Sequence, residues 1–202
     1  MHKQIFREFS KLTRGKLLIK SLSAQQGVSL IELMIGLAIS GILITSVGPM
    51  VRDILIQNRI IGQINEISAV VQTARHIAIN EQATTVMCPT TNFTSCSVDW
   101  NNPKMVFLDL DGNGQRSADE EIQAGSGIII DGYDLSGPIG SISFQGNGAV
   151  ASPSTLLLCH ESHDAKFARA LTISLQGRVK MSQDTNNDGI HEDNSGSALI
   201  CI

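Results

Sequence analysis

The stretch Gly27-Val28-Ser29-Leu30-Ile31-Glu32 lies between a basic N-terminal segment and a long apolar run, and it decides how the chain is organised. Before it, residues 1–27 contain six Lys or Arg side chains against a single Glu. After it, residues 28–51 contain Glu32 as their single charged side chain. At about 1.5 Å of rise per residue, this run is long enough to cross a bilayer as a helix.

The order of these segments differs from that of an ordinary secretory signal, which places a short apolar region before a small-x-small cleavage site. Here residues 21–27 are mostly polar and the apolar region follows Gly27, so cleavage after Gly27 leaves the hydrophobic segment on the mature protein. A plain signal anchor has the same topology, because basic residues hold the N-terminal side in the cytoplasm in both cases. Glu32 separates the two interpretations, since an intramembrane carboxylate is costly without a partner and marks a functional position.

The junction resembles the processing site of type IV prepilins, in which the Gly and the Glu have these relative places. The resemblance implies that a prepilin peptidase cuts between Gly27 and Val28 and methylates Val28. It also implies that Glu32 pairs with the N-terminal amine of a neighbouring subunit during assembly. One departure is visible, because the first mature residue is usually Phe and here is Val28. Pro49 falls where these proteins commonly have a helix-kinking proline.

Three segments follow from this junction: a leader peptide at 1–27, a transmembrane and assembly helix at 28–51, and a periplasmic globular domain at 52–202. The whole chain has 15 Lys plus Arg and 19 Asp plus Glu, and removing the leader leaves 9 against 18. This acidic balance argues against general nucleic-acid affinity, which depends on basic side chains. No Gly-x-Ser-x-Gly or other ordered nucleophile motif occurs, so neither an enzyme nor a cofactor is expected.

Apolar residues at three- and four-residue steps predict that residues 52–80 form an amphipathic helix with one buried face. That face contains Ile60, Ile61, Ile64, Ile67, Val71, Ala74 and Ala78. Together with the membrane segment, it forms one helix of about 50 residues that we expect to kink near Gly48-Pro49.

After Asn80 the apolar period changes from 3.6 to 2, which predicts short strands joined by turns. The predicted strands are 83–88, 105–110, 127–131, 139–144, 155–159, 170–175 and 179–182. Gln176-Gly177 is the predicted hairpin corner between the last two. The fold class is therefore α+β, with a long N-terminal helix packed on a C-terminal meandering antiparallel β-sheet.

Residues 74–80 and 84–89 resemble the helix end and first strand of the FimT/FimU minor pilins and of the H-type pseudopilin of type II secretion, the GspH/FimT domain. Residues 105–109, 156–159, 169–174 and 177–180 extend the match in the same order. The resemblance implies a type IV pilin-like fold in a minor pilin at or near the pilus tip. Its partners would be other minor and major pilins and the inner-membrane assembly platform. It would lie in the bacterial inner membrane and then in the filament. A minor pseudopilin is the first rival.

Four cysteines in an exported domain indicate two disulfides, for which three pairings are possible. Cys88 with Cys96 and Cys159 with Cys201 is the favoured arrangement, because the first pair is close in sequence and the second ties down a tail that would otherwise fray. A zinc site that uses Cys159, His160 and His163 is the alternative. The chain has no Cys-x-x-Cys, and an exported thiolate site competes with oxidation.

Asp109, Asp111, Asn113 and Glu120 fit the spacing of an EF-hand calcium loop. Arg116 stands where that loop normally has an apolar residue, and the flanks are predicted strands, so the sequence favours a purely structural turn. Residues 184–189 repeat the pattern, with Ser195 at the position of the closing carboxylate.

Residues 177–180 resemble the Gly-Arg-x-Arg motif that contacts DNA in FimT proteins serving natural transformation, with Lys180 in place of the second Arg. With Lys166 and Arg169, Arg178 and Lys180 could form a basic patch for double-stranded DNA, which is the second rival function. The competing interpretation is that Arg178 and Lys180 are exposed residues of an edge hairpin. The acidic residues downstream repel phosphate and favour that interpretation over tight DNA binding.

Overall fold

A single long helix opens the part of the chain that the computed structural model describes, residues 27–201. Helix α1 is Leu30–Glu81, 52 residues long. It begins after Ser29, whose Oγ accepts a hydrogen bond from the Glu32 N–H at 3.3 Å, as an N-cap side chain does. It ends where Gln82 adopts φ 50°, and Ala83 N–H donates to the Ala78 carbonyl at 3.3 Å in a Schellman arrangement.

The helical assignment continues through Gly48 and Pro49, so the expectation of one helix holds, whereas the kink there stays a prediction. The chain divides into two compact units, with the boundary between Ser46 and Val47. In the first unit, the side chains described between residues 27 and 45 are exposed. By length and composition, α1 is long and apolar enough to cross a membrane. The predicted leader, apart from Gly27, lies outside the described residues.

The second unit adds eight described strands to the rest of α1. They are β1 Thr85–Pro89, β2 Lys104–Leu108, β3 Ile122–Ser126, β4 Tyr133–Ser136, β5 Ile142–Phe144, β6 Ser154–His160, β7 Arg169–Ile173 and β8 Val179–Met181. A short 3-10 helix, Ala165–Phe167, precedes β7. The strands form two antiparallel sheets, a first sheet of order β3-β2-β1-β5 and a second sheet of order β4-β6-β7-β8. The α+β class is confirmed, but the single meandering sheet is wrong.

One apolar cluster joins the helix to both sheets. The helix supplies a buried stripe at three- and four-residue steps that includes Ile60, Ile64, Ile67, Val71, Ala74 and Ala78. The first sheet adds Met87, Val106 and Phe144, and the second adds Leu156, Leu158 and Leu171. Each fully buried Val, Leu, Ile, Phe or Met side chain contributes roughly 1.5–3 kcal/mol relative to an exposed one. The helix therefore stabilises both sheets through the same stripe.

Two details of the predicted pattern are wrong. Ile61 is 42% exposed, because it lies beside the buried stripe rather than on it. Residues 127–131 do not form a strand, since their N–H groups bond elsewhere. Gly127 N–H donates to Glu66 Oε1 at 3.3 Å and Ile130 N–H to Gln63 Oε1 at 3.2 Å, so helix side chains hold this segment. The strands β3 and β4, which flank it, were not predicted.

Each sheet has a smaller apolar cluster with a disulfide in it. Cys88–Cys96 joins the cluster of the first sheet, with Cα atoms 5.6 Å apart, and Val86, Met105 and Phe107 pack there. Cys159–Cys201 joins the cluster of the second sheet, with Cα atoms 5.8 Å apart, and Ala168, Ala170 and Leu199 pack there. These are the two pairs that the sequence analysis favoured. The second one fixes the C-terminal tail to the sheet.

Candidate functional site

Glu32 lies in the first turn of α1, on a segment whose described side chains are exposed. Its backbone N–H is satisfied by Ser29, but within residues 27–201 its carboxylate accepts no hydrogen bond and forms no ion pair. A carboxylate in this position strongly favours an N–H or cationic partner, because an isolated charge in an apolar environment is costly. The Glu32 carboxylate is therefore exposed and available to accept a hydrogen bond or form an ion pair.

The predicted hairpin corner lies between β7 and β8. Ser174 N–H donates to the Arg178 carbonyl at 3.0 Å, and Gly177 N–H donates to the Ser174 carbonyl at 2.8 Å. Gly177 has φ +70°, and a Cβ there would clash with the carbonyl oxygen of Gly148. Only glycine meets both conditions, so the backbone just before Arg178 is held in one conformation.

The helix holds the same corner through Arg75. Its Nε donates to the Gly148 carbonyl at 3.1 Å, and its guanidinium donates to the Gln176 carbonyl at 3.3 Å. A groove of about 360 Å³ runs here, and Arg75, His76 and Arg178 are among its lining residues. Arg178 and Lys180 are both exposed, and within residues 27–201 neither side chain has a hydrogen-bond or ion-pair partner.

Lys180 has different neighbours from Arg178. It lines a cavity of about 190 Å³ together with the carboxylate residues Glu192 and Asp193. These carboxylates lower the local potential, which attracts the Lys180 ammonium and repels phosphate. The downstream acidic residues were predicted to repel phosphate from Arg178 and Lys180. Of these two cations, Lys180 is the one that shares a cavity with them.

The other two residues of the predicted basic patch do not join it. Arg169 is only 8% exposed, and its guanidinium donates to the carbonyls of Ala168 and Lys166 at 2.6 and 3.0 Å. Burial lowers the pKa of Arg169, opposed by the attraction of Asp184. Lys166 forms ion pairs with Asp53 at 3.0 Å and Asp164 at 3.2 Å, and these partners raise its pKa. An exposed patch of four cations is therefore wrong, and both residues have structural roles.

The zinc alternative is also wrong. Cys159 is bonded to Cys201, which removes the thiolate that a zinc ion needs. His160 is buried, and its Nδ1 lies 2.9 Å from Ser162 Oγ. Its ring packs edge-on against Tyr133 and Phe167, with centroid distances of 5.1 and 5.7 Å. His160 is therefore a packed core histidine.

Residues 109–120, which we call the first acidic loop, connect β2 to β3 by a chain of side-chain-to-backbone hydrogen bonds. Asp109 Oδ2 accepts from Gly114 N–H at 3.1 Å, and Asp111 Oδ1 accepts from Asn113 N–H at 3.0 Å. Gly112 and Gly114 have φ +74° and +71°, conformations that favour glycine. The turn chemistry expected from the sequence is therefore present.

Glu120 closes the first acidic loop from its far end. Its two carboxylate oxygens accept from the N–H groups of Leu110 and Ser117, both at 2.8 Å. One carboxylate oxygen from each of Asp109, Asp111 and Glu120 lies within 4.8 Å of the other two. The loop thus brings together three of the four predicted cation-binding side chains.

Residues 184–192, the second acidic loop, have the same construction. Asp184 Oδ2 accepts from Gly189 N–H at 2.9 Å, and Asn186 Oδ1 accepts from Asp188 N–H at 2.9 Å. Asn187 and Gly189 have φ values of 63° and 87°, in the places of the two glycines of the first acidic loop. The twelfth position of the pattern, where the EF-hand spacing predicts the closing carboxylate, is Ser195.

The closing carboxylate of the second acidic loop is Glu192, which corrects the assignment at Ser195. Glu192 Oε2 accepts from Thr185 N–H at 2.8 Å, as Glu120 accepts from Leu110 N–H. Asp184, Asp188 and Glu192 each place one oxygen within 4.8 Å of the others. Gly189 is three residues closer to Glu192 than Gly114 is to Glu120. A motif that allows this shorter spacing would identify Glu192 from the sequence.

Lys104, in β2, is a second buried cation that sequence reasoning missed. It is fully buried, and its Nζ has no hydrogen-bond partner within the described residues. Burial lowers the pKa of Lys104 to about 8, against an opposing influence of Glu66 and Asp99. Its Nζ therefore loses its proton more easily than an exposed lysine does.

A membrane-type helix that continues into an α+β domain, together with a junction of the Gly-Val-Ser-Leu-Ile-Glu kind, defines a pilin-like subunit. The chain belongs to the GspH family, since residues 63–177 match the model described as type II transport protein GspH. Residues 22–48 match the prokaryotic N-terminal methylation motif. This is a family of structural pilins and pseudopilins, and the resemblance to minor pilins of the FimT/FimU/GspH type is confirmed.

Two groups of solved structures are similar to this chain. The minor pilin FimU of Pseudomonas aeruginosa is 16% identical, with a TM-score of 0.48, over 67% of this chain and 93% of FimU. The minor pseudopilin EpsH of Vibrio cholerae is 9% identical, with a TM-score of 0.47, over 62% of this chain and 96% of EpsH. No curated protein sequence matches the chain significantly.

Proposed function

We propose that this chain is a minor type IV pilin that enters the pilus at or near its tip and supports pilus assembly. One observation supports this most directly. Glu32 is the single charge on the exposed apolar segment that follows the methylation-motif junction, and its carboxylate has no partner within residues 27–201. A subunit that must find this partner in another molecule is suited to polymerisation rather than catalysis.

In this proposal, a prepilin peptidase cuts between Gly27 and Val28 and methylates the new amine. Residues 28–51 hold the mature subunit in the inner membrane, and the globular domain lies in the periplasm. The amine of a neighbouring pilin then pairs with Glu32 in an environment of low dielectric, where a charge-assisted hydrogen bond is strong. The assembly platform and the other major and minor pilins are the expected partners.

The test is the substitution Glu32→Ala in the full-length chain, compared with Glu32→Gln. Both variants lose the charge, and Glu32→Gln keeps the shape of the side chain. We expect both to remain in the membrane fraction, because removing a carboxylate lowers the cost of insertion. We also expect both to be absent from sheared filaments that contain the wild-type subunit. Normal incorporation of Glu32→Gln would show that charge pairing is not the function of Glu32.

Processing can be tested separately by mass spectrometry of the membrane-extracted protein. The expected product begins at N-methylated Val28 and lacks the six basic residues of the leader. The matched control is a strain without the peptidase, in which the full mass should persist. A product of full mass in both strains would contradict the proposed processing.

The rival role is that of an H-type minor pseudopilin of a type II secretion system, which has the same domain. The two roles differ in the phenotype of a deletion strain. We expect loss of surface pili with normal secretion of folded proteins. Loss of secretion with normal pili would assign the chain to the secretion system instead.

DNA binding is a second candidate function, favoured by one observation. Arg178 is exposed beside Arg75 and His76 on one groove, next to a backbone that Gly177 holds fixed. The acidic neighbours of Lys180 and the loss of Arg169 and Lys166 from the patch predict weak binding.

The experiment measures the shift of duplex DNA by the detergent-solubilised full chain at several salt concentrations. Arg178→Gln with Lys180→Gln is compared with Arg52→Gln and Arg59→Gln, which removes equal charge from exposed helix positions. If Arg178 and Lys180 each contact a phosphate, their double variant should show a slope of log K against log salt concentration smaller by about 1.8. The Arg52 and Arg59 double variant should keep the wild-type slope. Equal binding by both pairs, or no binding by the wild type, would remove this function for the motif.

A further inference from the structure

The first acidic loop contains a buried carboxylate oxygen that its own hydrogen bonds leave unused. Asp109 is only 6% exposed, and its Oδ1 is fully buried without a hydrogen-bond partner, whereas its Oδ2 accepts from Gly114. Leaving a buried charged acceptor unsatisfied is costly, so such groups in native proteins are normally paired or bound to a metal ion. Within the described residues, Asp109 Oδ1 is the one buried carboxylate oxygen of this loop that has no hydrogen-bond partner.

The charge of the loop is also unbalanced. Residues 109–120 contain four Asp or Glu and a single basic residue, Arg116. The Arg116 guanidinium donates to the Phe93 carbonyl at 3.3 Å, and in the described part of the chain no basic side chain forms an ion pair with Asp109, Asp111 or Glu120. Glu120 is only 3% exposed, so two of these three carboxylates are shielded from water.

The geometry suits a hard cation of calcium size. Calcium takes oxygen ligands at 2.3–2.6 Å, so ligand oxygens on opposite sides of the ion are roughly 5 Å apart. The carboxylate oxygens of Asp109, Asp111 and Glu120 lie within 4.8 Å of one another. Each carboxylate oxygen has two lone pairs, so one that accepts a backbone N–H can still face a cation.

We propose that the first acidic loop is a calcium site in which Asp109, Asp111 and Glu120 supply the anionic oxygens. Asn113 and the Gln115 carbonyl stand at the other oxygen-donating places of the EF-hand spacing. The loop is carried by two strands instead of two helices. The ion satisfies Asp109 and fixes the path between β2 and β3.

The second acidic loop differs in the feature that supports the proposal. It has the same turns, but Asp188 is exposed, Asp184 is half-buried, and none of its side-chain oxygens is both buried and without a hydrogen-bond partner. It therefore serves as the internal reference, because the same substitution can be made in two loops of one molecule.

The test is isothermal titration of the EDTA-treated, desalted full chain in detergent with calcium chloride, with both disulfides oxidised. We expect one ion to bind with a dissociation constant of about 0.1–1 mM, the range of extracellular calcium modules. Asp111→Asn should weaken binding at least tenfold. It keeps an oxygen that can accept from Asn113, and Asp111 is exposed, so the variant is expected to fold.

Glu120→Gln and Glu192→Gln form the matched pair. Glu120→Gln should weaken binding like Asp111→Asn, whereas Glu192→Gln should leave it unchanged. Calcium should raise the unfolding temperature of the wild type but not that of Asp111→Asn, and magnesium at the same concentration should have a smaller effect. Absence of calcium binding, binding retained in Asp111→Asn, or equal stabilisation by magnesium would overturn the proposal.

Discussion

The two sheets of the globular domain have the same set of features. They differ in whether their buried charged side chains have hydrogen-bond partners. Each sheet packs on the same stripe of α1, has one cluster with a disulfide, continues into one acidic loop and has one buried cation in a strand. In the second sheet, the buried cation Arg169 donates to two carbonyls. In the first sheet, Lys104 has no partner within the described residues, and neither has the Asp109 Oδ1 atom.

This difference indicates that the first sheet and its loop are the better candidates for binding a ligand. In the second sheet and its loop, every buried atom of a charged side chain has a hydrogen-bond partner. Their contribution to stability is therefore enough to explain Arg169 and the second acidic loop. The first sheet and its loop keep three buried atoms of charged side chains without a partner in the described chain: Lys104 Nζ, Asp109 Oδ1 and Arg116 Nε. Unsatisfied buried groups are rare in native proteins and call for a specific explanation. The following substitutions test whether the two sheets really differ in this way.

The largest expected effect is the removal of a disulfide. Cys159–Cys201 spans 42 residues and Cys88–Cys96 spans 8, and the constraint on the unfolded chain grows with the span. Replacing Cys159 and Cys201 with Ala should lower the free energy of unfolding by about 4 kcal/mol, and replacing the other pair by about 2.5 kcal/mol. Urea unfolding of the two double variants measures both values. A larger loss in the Cys88 and Cys96 variant would contradict the entropic explanation.

The second effect concerns Lys104. An unfolded lysine keeps its proton to pH 10.5, whereas burial lowers the pKa of Lys104 to about 8 in the folded chain. Between these values the unfolded state binds more protons, so stability should rise with pH, by on the order of 3 kcal/mol in total. Lys104→Met should therefore be more stable than the wild type at pH 7. The difference should decrease steadily between pH 8 and pH 10.5 in urea unfolding at a series of pH values.

Arg169→Met is the control for Lys104→Met. It removes a buried cation from the other sheet but leaves the carbonyls of Lys166 and Ala168 without their donor, so it should destabilise the domain by about 1–3 kcal/mol. Stabilisation by both substitutions would mean that the two cations are equally unsatisfied. The proposed difference between the sheets would then be wrong.

The smallest effect compares the acidic loops through their glycines. Gly114 and Gly189 have φ +71° and +87°, and a Cβ at either position would meet no atom within 4 Å. Gly114→Ala and Gly189→Ala should therefore each cost about 1–2 kcal/mol from backbone strain alone. Calcium should reduce the loss in Gly114→Ala only. Unfolding temperatures with and without calcium measure this, and an equal response of both variants would remove the distinction between the loops.

Much of the fold could be predicted from the sequence, because a single helix has a clear apolar period. The buried stripe from Ile60 to Ala78 followed that period, and most strand positions followed the period of two. The division into two sheets could not be predicted, since it depends on β1 pairing with β5, far along the chain. The missed strands β3 and β4 are edge strands with few apolar residues, so their pattern was weak.

The candidate sites were predicted unevenly for a related reason. Glu32 and the first acidic loop stand out because their signals are local in sequence. The basic patch of four residues failed because burial of Arg169 and the pairing of Lys166 with Asp53 depend on distant packing. Lys104 was missed because lysine is rarely buried, and no local pattern marks the exception.

The exposed apolar side chains of the first helical unit imply a particular thermodynamics of association. Leu30 and Leu37, for example, are 78% and 66% exposed, so a membrane or another molecule must cover them. Lipid is as apolar as a neighbouring helix, and transfer from one to the other therefore yields almost no hydrophobic free energy. In the proposed function, the polar pairing of Glu32 then supplies the main free energy of association. In this proposal, Glu32 is therefore the group that favours a neighbouring protein helix over lipid around this segment.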